Sequence, residues 1–470
     1  MQIRTVTAAF AEIACTARTP FRFGTTTVEG APLLHLRVRV ESVDGRSAVG
    51  AAADLLVPKW FHKDPARTAL QDQAALRGSA EDAARRCLAE TRPRSVFDCS
   101  LGMHRDLVLA HAPAATNLLE RAFGPSLVER ALIDATCRLA KKSFWSALQS
   151  DLFGIRLDTL LPGLGEIDAR DLLPARPQNS ILLRHTVGML DPLRQVDAGT
   201  DDDEPCSVEG YLRRHRPRWL KVKVGQGLEA DCERLLALAS LCRTLDVDPG
   251  ITLDGNEQFA SMEDVVRLLE TVARDRLGAQ LLGRLAHIEQ PLSRALTFDA
   301  AANRAIDRVR AFAPLVLDEA DVLPTSFADA LQLGYRGCSI KNCKGVFRGL
   351  ANQALARAHG DSAFVCGEDL TNLPLLSLQQ DLATMTTLGL AHVERNGHHY
   401  FRGLDHLPRE VATAALAAHP DLYASRPDGS IALRIDDGQL QCASLLGIGY
   451  GCDQEPFGEL MRTLPWQPLD

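Results

Sequence analysis

The chain has 470 residues, 46% hydrophobic and 24% charged, with a formal net charge of −8, enough for two or three domains and a large core. Charges of both signs are mixed along it, which argues against the basic surface of a nucleic-acid binder, and no apolar run approaches the ~20 residues of a membrane span. Its twelve cysteines are scattered, mostly in apolar surroundings, with no Cys-x-x-Cys pair; they read as reduced thiols of a cytoplasmic protein.

The first segment, MQIRTVTAAFAEIACTA, is interrupted by Arg4 and Glu12 and reads as a strand, not a signal peptide. Pro32 to Ser42 and Ser47 to Leu56 flank an Asp-Gly pair and predict a hairpin. Helical patterns follow over Ala80 to Glu90, Ala112 to Phe123 and Ser126 to Leu152, the last amphipathic. Inserted helices are expected around Asp64 to Leu107. Residues 1–175 therefore predict an α+β domain.

From Asn179 the texture changes. Strand candidates SILLRHTVGM, WLKVKVG, ITLDGN, LAHIEQP, PLVLDEA, GCSIKNCKG, SAFVCGEDL and LAHVERNG alternate with helical stretches. Ser261 and Asp264 open one of these helices as a cap. The run Thr200 to Gly210, with its acidic residues, reads as a solvated turn. Eight strands alternating with helices predict an α/β chain, a modified (β/α)8 TIM barrel over residues 176–407. Residues 408–470 predict one more helix and a strand, Ser430 to Ile435, packing back on the N-terminal domain.

Catalytic groups of such barrels come from the C-terminal ends of the strands, and those ends are charged here. Asp254 follows ITL, Glu289 lies in HIEQP, Asp318 and Glu319 follow LVL, and Lys341 follows CSI. Each is about 30 residues from the last, one βα unit. The preceding strand carries Lys221 and Lys223, two residues apart and so on one face. Burying isolated charges costs several kcal/mol each, so these groups must be paired or bind an ion. Three oxygen ligands from separate strands suit a hard divalent cation, Mg2+ first, with Mn2+ as a substitute.

The ordered set resembles the enolase superfamily, in its muconate-lactonizing-enzyme-like subgroup, within the mandelate racemase/muconate lactonizing enzyme family. The matching motifs are Lys221-Val222-Lys223, Asp254-Gly255-Asn256, Glu289-Gln290-Pro291, Asp318-Glu319 and Lys341-Asn342-Cys343-Lys344-Gly345. They extend over the barrel, and the cap-barrel-cap order extends over nearly the whole chain. Ala320 stands where a serine is frequent, and a glycine pair is reduced to Gly345; both departures bear on substrate identity.

The resemblance implies Mg2+ held by Asp254, Glu289 and Asp318, and proton abstraction alpha to a carboxylate through a metal-stabilised enediolate. It implies Lys223 as acid or base on one face and Lys341 on the other. Lys221 would lower the pKa of its neighbour through like-charge repulsion. Asn256 would orient groups around the metal, and Glu319 would hydrogen-bond near Lys341. Racemisation or epimerisation, β-elimination and cycloisomerisation all remain open, so the enzyme is an isomerase or a lyase. A mandelate-racemase-like His–Asp dyad is disfavoured by Lys341.

Substrate contacts are expected from Glu368, Glu394, Asn396, His398 and His399 beyond the last strands, and from two cap loops carrying Phe21, Phe23, Trp60 and Phe61. His185 faces either the mouth or the core. Glu394-Arg395-Asn396 replaces the Asp-x-Asp of dipeptide epimerases, which argues against an unmodified dipeptide. The expected partner is a small carboxylate, with neither nucleic acid nor membrane, and by resemblance the assembly is a homo-oligomer. Two rivals stay open: a carboxylate-pair hydrolase on a TIM barrel, and a non-catalytic barrel that keeps the scaffold.

Overall fold

The computed structural model describes residues 1–24, 26–112, 117–165, 167–198 and 204–469. Three antiparallel strands, β1 (Ile3–Phe23), β2 (Thr26–Ser42) and β3 (Ser47–Leu55), open the chain. The β2–β3 turn is the Asp-Gly hairpin read from the sequence. Helices α1 (Ala69–Leu88), α2 (Val96–Leu107) and α3 (Leu118–Ala140) follow. α1 starts earlier than its apolar spacing predicts, at a capping box between Thr68 and Gln71, which satisfies its first free amides.

The sequence reading breaks α3 at Gly124-Pro125, but one helix runs through both. Pro125 cannot donate to the carbonyl of Arg121. The hydroxyl of Ser79 on α1 donates to that carbonyl instead, at 3.1 Å. The long expected helix ends at Ala140, where Lys141 turns left-handed, and a separate short helix covers Phe144–Gln149.

Eight parallel strands form the second part: β4 (Ser180–Val187), β5 (Trp219–Lys223), β6 (Gly250–Asp254), β7 (Leu285–Glu289), β8 (Leu315–Leu317), β9 (Gly337–Ile340), β10 (Phe364–Gly367) and β11 (His392–Arg395). β11 pairs with β4 and closes the barrel, with helices between successive strands. All eight coincide with the strands expected from the sequence. Of the acidic run before β5, Asp201 to Asp203 lie outside the described residues.

The closing segment differs from expectation. It holds two helices, Arg409–Ala418 and Gln454–Thr463, and four short strands. β12 (Tyr423–Ser425) pairs with β13 (Ile431–Leu433), so the Ser430 to Ile435 segment does not reach the cap. β14 (Gln439–Gln441) adds to the start of β4, and only β15 (Gln467–Pro468) returns to β1. Three-residue strands are too short for period-two patterning to declare them.

One hydrophobic core runs from the cap sheet through α3 into the barrel helices. Arg130 on α3 pairs with Asp54 at the end of β3, both buried, and Asp134 accepts from the amides of Ala51 and Tyr450 at 3.1 and 2.9 Å. Barrel-side contacts join the same pairs: Ser377 Oγ donates to Asp54 Oδ1 at 3.3 Å and Gln380 Nε2 to Ala51 O at 2.7 Å, so buried polar contacts as well as apolar area tie the cap to the barrel. Among the described residues no helix is long and apolar enough to cross a membrane, and all twelve cysteines are unbridged.

Candidate active site

Parallel pairing sets the charged residues at one level. Lys223 is in register with Asp254, and Asp254 with Glu289. Asp318 and Lys341 stand directly beyond β8 and β9. Gly255 allows the loop after β6 to lie against the loop after β7: a Cβ there would stand 2.7 Å from Pro291 Cα. Asn256, Glu257 and Gln290 adopt positive φ of 41, 70 and 34°. Such backbone is sparsely populated and clusters at functional sites.

Gln290 stitches two of these ends together. Its Oε1 accepts from the amides of Asp318 and Ala320 at 2.9 and 3.1 Å, and its Nε2 donates to Leu292 O and Thr297 Oγ1, both at 2.8 Å. A fully buried glutamine with both ends used fixes Glu289 relative to Asp318.

Lys221 points inward and lies within 2.6 to 3.0 Å of four carboxylates: Asp254, Glu289, Glu368 and Glu394. Burial opposes its charge, but the carboxylates, Asp254 first, hold its pKa well above the ordinary lysine range. Lys221 is thus a fully paired structural cation. The expected repulsion on Lys223 is set against Asp254, whose Oδ2 takes Lys223 Nζ at 2.6 Å.

Lys341 Nζ pairs with Asp318 Oδ2 at 2.7 Å and lies 4.6 Å from the centre of the Trp60 ring. Its pKa is also held well above the ordinary range; burial opposes this and Asp318 is the main cause. Asp318 receives Lys344 Nζ at 3.4 Å and Ser339 Oγ at 2.5 Å as well, and these cations hold its pKa well below the usual range against burial. Lys344, three residues after Lys341 in the Lys-x-x-Lys spacing, thus joins the site although the sequence alone assigns it no role.

Glu289 is the exception. Its Oε2 is 2.7 Å from Lys221, yet neither oxygen has a partner with hydrogen-bond geometry. Burial, then the charges of Asp254 and Glu368, push its pKa well above the carboxylate range. Asn256 Oδ1 and Glu319 Oε2 are likewise buried without partners. Glu319 accepts from Asn256 Nδ2 at 3.1 Å, the contact found in place of the expected one near Lys341, and burial with the Asp318 charge raises its pKa to about 7. Unpaired buried oxygens beside crowded carboxylates mark a deficit of positive charge. The donors are all hard oxygens, so the set Asp254, Glu289 and Asp318, with Asn256 beside it, fits a divalent cation such as Mg2+.

Those three carboxylates are not the tightest group. Among the described residues, the His/Cys/Asp/Glu donors that lie within 4.8 Å of one another are His287, Cys366 and Glu368. That group sits one layer deeper, and Glu368 is already occupied by Arg184 and Lys221. Both Glu368 oxygens thus have hydrogen-bond partners, whereas neither oxygen of Glu289 does.

A cavity of about 470 Å3, its open mouth included, lies over this charged floor. Lys223, Lys341, Asn256, Glu394 and Asn396 line it from the barrel, and Phe21, Arg22, Val57 and Trp60 from the cap. β5 and β9 are four strands apart in an eight-strand barrel, so Lys223 and Lys341 face each other across it. Phe21 stacks on Tyr400 at 4.5 Å, and Asp369, raised to about 6 by burial, also lines the wall.

Four expected contacts are corrected. Glu368 is fully buried beneath the cavity and bound to Arg184, so it is not a substrate-facing group. His398 lies behind the wall, hydrogen-bonded to His185 at 3.3 Å, and His399 bonds Tyr211 OH at 3.1 Å. His185 stacks on Tyr211 at 4.1 Å, a core histidine. Phe61 packs edge-on to Phe123 in the cap core. The side chain of Phe23 lies outside the described residues. Asp369, Thr371 and Arg22 line the cavity and escaped the sequence reading, because nothing in their spacing shows which way a loop side chain turns.

No family model and no curated protein matches the chain. Solved structures do. A muconate lactonizing enzyme from Mycobacterium smegmatis complexed with muconolactone superposes with a TM-score of 0.61 at 17% identity, over 97% of this chain and 99% of that one. An enolase from Bradyrhizobium complexed with magnesium and mandelic acid gives 0.59 at 16%, over 98% of each chain. A dipeptide epimerase from Enterococcus faecalis complexed with Mg and L-Leu-L-Tyr gives 0.57 at 14%, over 96% and 99%. The chain has the capped barrel fold of these enolase-superfamily structures, from end to end.

Proposed function

We propose that this chain is an enolase-superfamily enzyme, an isomerase or lyase that moves a proton on the carbon alpha to the carboxylate of a small acid. The observation that carries the reading is the pair Lys223 and Lys341, facing each other across one cavity beside three carboxylates from consecutive strands. Asp254, Glu289 and Asp318 would hold a Mg2+ or Mn2+ ion. When bound, that ion supplies Lewis-acid stabilisation of negative charge on a substrate carboxylate.

The chain's own residues do the rest. Lys223 Nζ takes or returns the proton on one face of the alpha carbon, and Lys341 Nζ serves the opposite face. The ammonium that Asp318 favours at Lys341 is the proton-returning form, and a cation held by Asp318 would weaken that pairing and favour the neutral, proton-taking amine. Lys221 neutralises the floor beneath them. Asn256 presents an unpaired Oδ1 to orient groups at the metal. Trp60, Phe21 and Val57 keep water from the cavity. Two facing lysines allow racemisation or epimerisation, and equally β-elimination or cycloisomerisation. Glu394 and Asn396 are specificity residues in this reading. The hydrolase alternative accounts for neither lysine at the cavity wall. A domain division after residues 175 and 407, a homo-oligomeric assembly and a cytoplasmic setting belong to the same proposal.

The test is hydrogen exchange in D2O with Mg2+ and a panel of chiral carboxylates, led by mandelate- and muconolactone-sized acids, the ligands of two structural neighbours. Exchange at the alpha carbon is expected with the native enzyme. Lys223→Ala should abolish it from one enantiomer and Lys341→Ala from the other. Exchange that persists in the double variant refutes the two-lysine mechanism.

A further inference from the structure

Residues 57–65 cross from β3 towards α1 and carry Trp60 onto Lys341. Ionic contacts hold this segment from both sides. On the cap side, Lys59 Nζ pairs with Asp72 Oδ2 at 3.2 Å, and Arg67 pairs with Asp72 and Glu120 at 3.0 and 2.7 Å. On the barrel side, Arg294 donates to Phe61 O at 2.8 Å and to Trp60 O at 2.9 Å. The same guanidinium grips Glu257 from Nε and Nη2, at 3.0 and 2.9 Å. Lys63 closes the set, reaching Glu257 Oε2 at 2.5 Å and Asn256 O at 2.9 Å.

The barrel half of this arrangement stands on the loops that carry the candidate metal ligands. Glu257 lies just beyond Asp254 and Asn256, and Arg294 just beyond Glu289 and Pro291. One planar guanidinium spans two consecutive carbonyls and a carboxylate, a fork that lysine cannot reproduce. The position of Trp60 is therefore set by the loops after β6 and β7. The Trp60 face in turn provides a cation–π contact that keeps the Lys341 ammonium covered.

We propose that Arg294, Glu257 and Lys63 are positioning residues: a latch that seats the 57–65 segment on the barrel mouth and fixes Lys341 beneath Trp60. None of the three contributes a reacting group. The inference rests on the proposed role of Lys341, but the latch is measurable without any substrate.

Trp60 becomes the sole reporter when Trp145, Trp219 and Trp466 are replaced by Phe. Acrylamide quenching then reads its exposure. Acetic anhydride labelling, followed by mass spectrometry, reads the accessibility of Lys341 against the exposed Lys141. Removing one charge-assisted contact shifts an opening equilibrium by about tenfold. Glu257→Gln should raise both the quenching constant and the Lys341 labelling rate by about that factor, with Lys141 unchanged. Lys63→Met, which leaves Arg294 in place, should raise them by about threefold with an unaltered urea midpoint, and Glu257→Asp should restore part of the protection. If both readouts stay at native values in folded Lys63→Met and Glu257→Gln protein, the latch is refuted; should Glu257→Gln fail to fold, Lys63→Met decides alone. Opened readouts with undiminished alpha-carbon exchange overturn the positioning role. Opened readouts in a protein that never exchanges refute the proposed activity and leave the latch standing.

Discussion

Lys221→Met removes one ammonium from the middle of four carboxylates while keeping the side-chain volume. Other groups still hold three of them. Asp254 keeps Lys223 at 2.6 Å, Glu368 keeps Arg184, and Glu394 keeps Thr186 Oγ1 at 2.7 Å and the amide of Asp369 at 3.0 Å. Glu289 keeps nothing with hydrogen-bond geometry. Breaking a buried pair costs about 3–5 kcal/mol, and the partial compensation places this variant near the lower end, about 3 kcal/mol. For 470 residues, an unfolding entropy of about 2 cal/mol/K per residue converts that into a Tm lowered by about 3 °C. Urea unfolding of the metal-free protein at neutral pH reads the loss. Adding Glu289→Gln replaces the carboxyl left without a partner, so the double variant should recover at least ~1 kcal/mol relative to additivity. A Lys221→Met protein within ~0.5 kcal/mol of native, the range of unremarkable surface changes, would show that this ammonium does not hold the floor together.

Mg2+ at about a hundredfold over its dissociation constant should stabilise the native protein by about 2.7 kcal/mol, and calorimetry on Asp254→Asn and Glu289→Gln should show that gain lost; equal stabilisation in both variants would move the metal elsewhere. His35 is fully buried with neither ring nitrogen hydrogen-bonded, and burial lowers its pKa to about 3. Because the unfolded imidazole binds a proton near pH 6.5 and the folded one does not, this contribution is present above that pH and is lost on acidification. Between pH 7 and 5 it amounts to about 2 kcal/mol, and His35→Phe should flatten the urea-derived stability profile by about that much. Gly50 on β3 lies under α3, where a Cβ would come within 2.1 Å of Ala135 N. Gly50→Ala should therefore cost about 1–3 kcal/mol by overpacking, seen as a lowered urea midpoint with little change in slope.

Much of the molecule is readable along the chain, for local reasons. A parallel barrel strand is a short apolar run, so all eight appear in sequence order, and a charge that ends such a run cannot be solvated by its own strand. Asp254, Glu289, Asp318 and Lys341 are visible on that ground alone, as is the pair Lys221 and Lys223. What the chain order cannot supply is who meets whom across the closed barrel. Lys221 meets Glu368 and Glu394 only because β10 and β11 curve round to face β5. This turned an expected pKa-lowering neighbour into a fully paired cation and an expected substrate contact, Glu368, into part of the floor. The continuity of α3 through Pro125 depends on a hydroxyl from another helix. The latch of Glu257, Arg294 and Lys63 joins residues from two loops and the cap, and exists only once the cap has docked. Local hydrophobic pattern and strand-end charge are properties of neighbours in sequence; ion pairing, burial and the direction of a loop side chain are properties of neighbours in space, which only the closed, capped barrel assembles.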